Sequence, residues 1–227
     1  MVGSISLLYA IMAIGTTVFM LGLNNGIQHF FSYHLSRNNN TLLALIRNTA
    51  LLGTLLSISA FFSIYFLSYY ISILFFHSAY YELYIKIIGI AITSSIIVNI
   101  FAAMLLGLNQ YKKYSLIYSF VYTLTYLFPL ILLFIFGRAI YLVSGVAIIN
   151  SVSALVFVFF ILKLYKSIGM EKGNYESETY KNIIHYSVPL FFSSIMGTSA
   201  TYIDRSVPSN AVFLINAKRV LLLFLAR

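Results

Sequence analysis

Few side chains in this chain of 227 residues could do covalent chemistry, and their spacing argues against a catalytic centre. Its carboxylates number five: Glu82, Glu171, Glu176, Glu178 and Asp204. Three of them sit among lysines in KSIGMEKGNYESETYK, which reads as a solvated linker. His29 and His34 are five residues apart, a spacing that does not align them on one helix face, and no carboxylate accompanies them. No metal site is therefore expected. Cysteine is absent, so no disulfide, thiolate nucleophile or cysteine metal site can form. There is no Ser/His/Asp set, no HExxH, no Walker lysine loop and no glycine-rich dinucleotide turn. The chain is expected to be no enzyme, to need no cofactor and not to power transport by ATP itself. The polar material left over is concentrated in GLNNGIQHFFSYHLSRNNN, Gly22 to Asn40, a polar, aromatic, mildly basic interruption between two apolar stretches. Anchoring at a membrane interface is the plainest use for it.

The elements that must position this segment follow from composition. Hydrophobic residues make up 61% of the chain and charged residues 8%, with a mean hydropathy of +0.93. A soluble domain carries about 25% charged residues, so this chain cannot cover itself for water. Six apolar runs are long enough to cross a hydrocarbon core: about Ser4–Leu23, Thr49–Phe76, Tyr84–Leu108, Tyr114–Phe136, Ala139–Leu162 and Ile183–Ile203. Backbone groups in lipid must be paired within the segment, which leaves helices or a closed barrel. Barrel strands alternate polar and apolar residues, and LIYSFVYTLTYLFPLILLFIF does not. The expected class is an all-α membrane protein, with 1–205 forming the bundle and 206–227 an atypical tail.

The formal charge of +9 would suggest nucleic acid in a soluble protein. Here the basic residues lie between apolar spans, where they set orientation and meet anionic headgroups of membrane lipids; no nucleic-acid partner is expected. With the tail set aside, connectors after the first, third and fifth runs carry eight Lys and Arg, against three after the second, fourth and sixth. Cytoplasmic loops retain positive charge. The amino terminus is therefore expected outside, and Gly22–Asn40 is read as a cytoplasmic connector. The first run lacks the basic start of a signal peptide.

Inside the spans the deep polar residues are Asn99 and Asn150, with many Ser, Thr and Tyr, expected to hydrogen-bond neighbouring helices or backbone. Small residues recur every four positions at Thr49, Gly53 and Ser57, and again at Ser193, Gly197 and Thr201. Both stripes are expected to pack against other helices. Pro129 should bend the fourth span.

In order and spacing, three segments resemble one family. LGLNNGIQHFFSYHLSRNN resembles the end of the second helix of polysaccharide-export flippases in the multidrug/oligosaccharidyl-lipid/polysaccharide (MOP) exporter superfamily. GLNQYKKYSLIYSF resembles their link between the fourth and fifth helices. YSVPLFFSSIMGTSATYIDR resembles their seventh helix, with Tyr186, Pro189, Leu190, Asp204 and Arg205 at the matching positions. Those proteins have twelve or more helices in two lobes. The resemblance implies that this chain holds the second to the seventh, an N-terminal-half fragment whose partner is a missing second lobe or another chain.

The resemblance also implies a multi-pass protein of the cell membrane that flips lipid-linked oligosaccharide or polysaccharide precursors by alternating access. Asn24, Asn25, Gln28, His29 and Arg37 at one face, and Asp204 with Arg205 at the other, are then the groups to receive the sugar–phosphate headgroup. A drug or metabolite antiporter of the same superfamily is a rival, although no ionisable residue is evident deep in the spans to couple it. A membrane subunit without transport of its own is the other.

Overall fold

The computed structural model describes residues 2–35, 39–168 and 178–206. Among them are seven α-helices and no strand: α1 (Val2–Met20), α2 (Leu23–Leu35), α3 (Asn39–Phe76), α4 (Glu82–Gly107), α5 (Tyr111–Phe136), α6 (Ala139–Ile168) and α7 (Glu178–Ser206). The β-branched and aromatic runs that would favour strands in water are helical here. Hydroxyls that lack water turn back on their own helix. Thr16 donates to the Met12 carbonyl at 2.8 Å, Ser57 to Gly53 at 2.8 Å and Ser153 to Ile149 at 2.7 Å. Each keeps a polar group satisfied without a second helix.

Five helices are long and apolar enough to cross a membrane: Gly3–Met20, Ala44–Phe76, Ala79–Gly107, Tyr111–Phe136 and Ala139–Lys163. This is an all-α, multi-pass membrane architecture. The sixth expected span falls in α7, which is helical throughout, but serines, threonines and tyrosines dilute it and it is not one of the five.

Helix α4 is the hub, packing against α1, α2, α3 and α6. Its Ile85, Ile92, Ile96 and Ile100 are almost completely buried. Hydrocarbon tails are as apolar as isoleucine, so association in lipid depends on close fit rather than on escape from water. The fit is reciprocal along α3 and α4. A Cβ on Gly53 would lie 2.7 Å from Ile100 Cδ1, and one on Gly89 would lie 3.1 Å from Ile64 Cγ2. Each helix thus supplies a glycine for the other's isoleucine.

Thr49, Gly53 and Ser57 are all buried, as their stripe predicts. The second stripe behaves differently: Ser193, Gly197 and Thr201 are exposed, and nothing lies within 4 Å of where a Gly197 Cβ would be. Another face of α7 makes contact instead, with Thr198 Oγ1 3.3 Å from Thr17 Oγ1 of α1. Spacing alone could not tell which face would meet α1. Pro129 lies inside α5, which runs as one helix with the proline buried; a Cβ on Gly145 of α6 would come within 2.8 Å of its Cα.

Helix α4 ends in a Schellman motif. Asn109 holds a left-handed backbone (φ 57°), its N–H donates to the Leu106 carbonyl at 3.0 Å, and the Gln110 N–H donates to Leu105 at 3.0 Å. This sharp stop sends α5 back beside α6.

Candidate functional site

Gly22–Leu35 is not the open connector that its polarity suggests. After a break at Leu21 (φ 48°) and Gly22 (φ 70°), the chain enters α2. Leu23, Ile27 and Phe31 repeat every fourth residue, form one face of this helix and are buried to 2%, 1% and 0% exposure. At 13 residues, about 20 Å, the helix is too short to span the core and suits the membrane surface.

Two glycines let α2 sit tightly on α7. A Cβ on Gly22 would lie 2.5 Å from the Ser187 carbonyl oxygen and 2.8 Å from the Phe191 nitrogen. One on Gly26 would run into Ser187 Oγ. On its other side α2 meets the end of α4, where a Cβ on Gly107 would lie 2.5 Å from Phe31 Cβ and 2.9 Å from the Gln28 carbonyl oxygen. The helix is therefore wedged between α7 and α4.

This wedge fixes where the sequence-predicted residues stand. Asn25, Gln28 and His29, at spacings of three and four, share the exposed side of α2. Asn24 is half-buried, and its Oδ1 is enclosed without a protein hydrogen-bond partner. The His29 ring stacks on Tyr186 of α7, with centroids 4.8 Å apart and planes 12° from parallel. Phe30 meets both rings edge-on, at 5.5 Å from His29 and 6.2 Å from Tyr186. Ser187, next in α7, is buried with its Oγ unpartnered. An enclosed polar atom without a partner costs about 1–3 kcal/mol, and two such atoms lie on the elements forming this corner.

Four of the seven expected residues, Asn24, Asn25, Gln28 and His29, are thus brought together on one helix. Arg37 lies outside the described residues. Asp204 and Arg205 are in the last turn of α7, about 27 Å along the helix from Tyr186. Sequence reasoning missed Phe30, Tyr186 and Ser187 as neighbours of this corner. Tyr186 was visible only as a motif position, because spacing within α2 carries no information about α7.

The corner offers hydrogen-bond donors and acceptors, an imidazole and two further rings, suited to holding a polar group without covalent chemistry. Among the described residues no group of three or more His, Asp or Glu could hold a metal ion. An ion pair among the described residues, Lys86 with Glu82 at 2.6 Å, lies at the start of α4, the end away from this corner.

Clefts elsewhere have a different chemistry. One of about 370 Å³ between α1, α3 and α4 is lined by residues such as Leu7, Ile11, Phe19, Leu67 and Ile71 and suits hydrocarbon. Another, of about 330 Å³ between α3 and α6, has Arg47 beside Ala50, Leu51 and Leu162. Neither is lined by the polar residues of α2.

Comparison with known proteins gives one finding. A family model described as polysaccharide biosynthesis protein matches residues 1–211. No curated protein and no solved structure gives a match.

Proposed function

The chain belongs to the polysaccharide biosynthesis protein family, a family of membrane transporters, and on that premise we propose that it flips lipid-linked oligosaccharide or polysaccharide precursors across the cell membrane. The observation that carries this reading is the α2 corner. A short surface helix presents Asn25, Gln28 and His29 beside Tyr186 at one end of the bundle. In the proposed cycle the lobe formed by this chain rocks against a second lobe. The lipid tail stays in hydrocarbon while the sugar–phosphate headgroup passes along the bundle. Asn24, Asn25, Gln28, His29 and Arg37 receive that headgroup at one face, and Asp204 with Arg205 meet it at the other. The cycle makes and breaks no covalent bond.

An ion-coupled antiporter would need a carboxylate held away from water to carry its proton or sodium. Glu82 does not fit that role, because it is partly exposed and paired with Lys86. The test is reconstitution of the protein into vesicles with a fluorescent lipid-linked sugar. Headgroup translocation that falls several-fold in His29→Ala and Gln28→Ala supports the proposal. Cation-driven drug efflux without headgroup movement would replace it with the antiporter reading, and neither activity with a non-transporting subunit.

A further inference from the structure

Helix α5 carries a tyrosine row that starts against the core, where Tyr114 packs, and runs outward to Tyr122 and Tyr126, which are exposed. Tyr114, Tyr118, Tyr122 and Tyr126 recur every fourth residue; the first three stack in a row and the fourth meets Tyr122 edge-on. Ring centroids are 5.1 Å apart for the first pair, 6.1 Å for the second and 4.9 Å for the third, with interplanar angles of 22°, 18° and 67°. The Tyr126 hydroxyl donates to the Tyr122 hydroxyl at 3.3 Å. We propose that this ladder is a carbohydrate-contacting track, which takes the glycan part of the cargo as it passes through the membrane; the inference rests on the flippase reading.

Two ordinary explanations for a row of tyrosines do not reach its far end. Tyrosines of the aromatic belt sit at the headgroup level. Tyr126, however, lies about 22 Å along the helix from Tyr111, beyond the middle of a hydrocarbon core about 30 Å thick. Core packing accounts for Tyr114, which rests against the core, but not for Tyr122 and Tyr126, which are 55% and 53% exposed. The opposite side of the helix presents Leu116, Phe120, Leu127 and Phe134, all exposed and purely hydrocarbon. Helix α5 therefore has a lipid side and a hydroxyl side. Turned toward acyl chains, these hydroxyls would keep only their protein bonds, such as that from Tyr126 to Tyr122, and forgo the further ones that water or sugar offers.

The chemistry of the ladder selects a hydroxyl-rich, uncharged partner. Each rung offers a hydroxyl oxygen on a flat apolar body, and Tyr122, which accepts from Tyr126, keeps its own O–H to donate. Rungs follow each other at about 6 Å along the helix, a spacing on the scale of one sugar ring. The ladder carries no charge, so it has no special grip on a phosphate. It offers several weak, equivalent positions, which suit a cargo that must also leave.

The experiment exploits a chain with no tryptophan. Tyr122→Trp and Phe120→Trp each place a single reporter on one side of α5 in vesicles of the full chain. Aqueous acrylamide is expected to quench the reporter at 122 several-fold more than that at 120, and brominated lipid the reverse. Soluble oligosaccharide is expected to change emission at 122 alone. The variant Y118F/Y122F/Y126F keeps the rings and loses the hydroxyls; it should bind that oligosaccharide about tenfold more weakly. It should also slow translocation of long-glycan cargo more than of single-sugar cargo. Lipid quenching at 122, or unchanged oligosaccharide binding in the triple variant, overturns the ladder whatever the protein transports. If the unaltered protein moves no headgroup while 122 still responds to sugar, the flippase reading fails and the ladder stands.

Discussion

Helices α4 and α5 follow each other in the chain, have the same length and have nearly the same mean hydropathy, 2.2 and 2.1 over their spans. Yet 16 residues of the first are buried, and of the second only Pro129. In water such apolar helices would compete equally for the interior. In a bilayer both are already in an apolar solvent, and side-chain size decides the outcome. Helix α4 carries Gly89, Ala91, Ser94, Ala102, Ala103 and Gly107, which let neighbouring backbones approach. Helix α5 has no glycine or alanine in its 26 residues, and its bulky side chains hold it at the periphery, touching mainly α6.

The largest test of this contrast is all-or-none. If both helices cross the bilayer, the ends of α4 must open to opposite sides. Because the chain lacks cysteine, His77→Cys and Lys112→Cys report without background. A membrane-impermeant maleimide applied to cells should label the first and spare the second, following the positive-inside rule. Labelling of both from one side would break the pairing of the two helices.

Next in size comes a matched pair of truncations. Ile92→Ala empties a site with no exposure in α4 and should cost about 2–4 kcal/mol. Phe134→Ala removes a ring that is 92% exposed in α5 and should stay within about 0.5 kcal/mol. Unfolding in mixed micelles compares them, and equal costs would show that exposure in the isolated chain does not report packing. An effect of the same small order as that of Phe134→Ala belongs to Ser94→Ala, which removes the hydroxyl contact to Ser151 of α6 at 3.0 Å. About 0.6 kcal/mol is expected by the same measurement.

The sequence made most of the scaffold legible, because hydropathy over a span-length window is a direct readout of solvent. It misled where length, rather than polarity, defined the element. The Leu23, Ile27 and Phe31 repeat in α2 was visible, but 13 residues cannot cross a bilayer, and a polar stretch between spans reads as a loop. It misled again at Ser193, Gly197 and Thr201, where a packing stripe is bare, because a one-helix pattern does not say whether a partner is present. The same limit hid the His29–Tyr186 stack. The alignment of Asn25, Gln28 and His29 follows from spacing within a helix, whereas a contact from α2 to α7 depends on how four intervening helices fold back.

The seat of α2 also sets an order of events during synthesis. Gly22 and Gly26 leave the ribosome early, but the stretch of α7 that closes on them, from Ile183 to Phe191, is made only after α3 to α6. Domains generally fold from the amino end as they emerge, yet this corner cannot. Until α7 arrives, α2 has a wall on its α4 side and none on the α7 side, so among the described residues the polar rim of the bundle closes last.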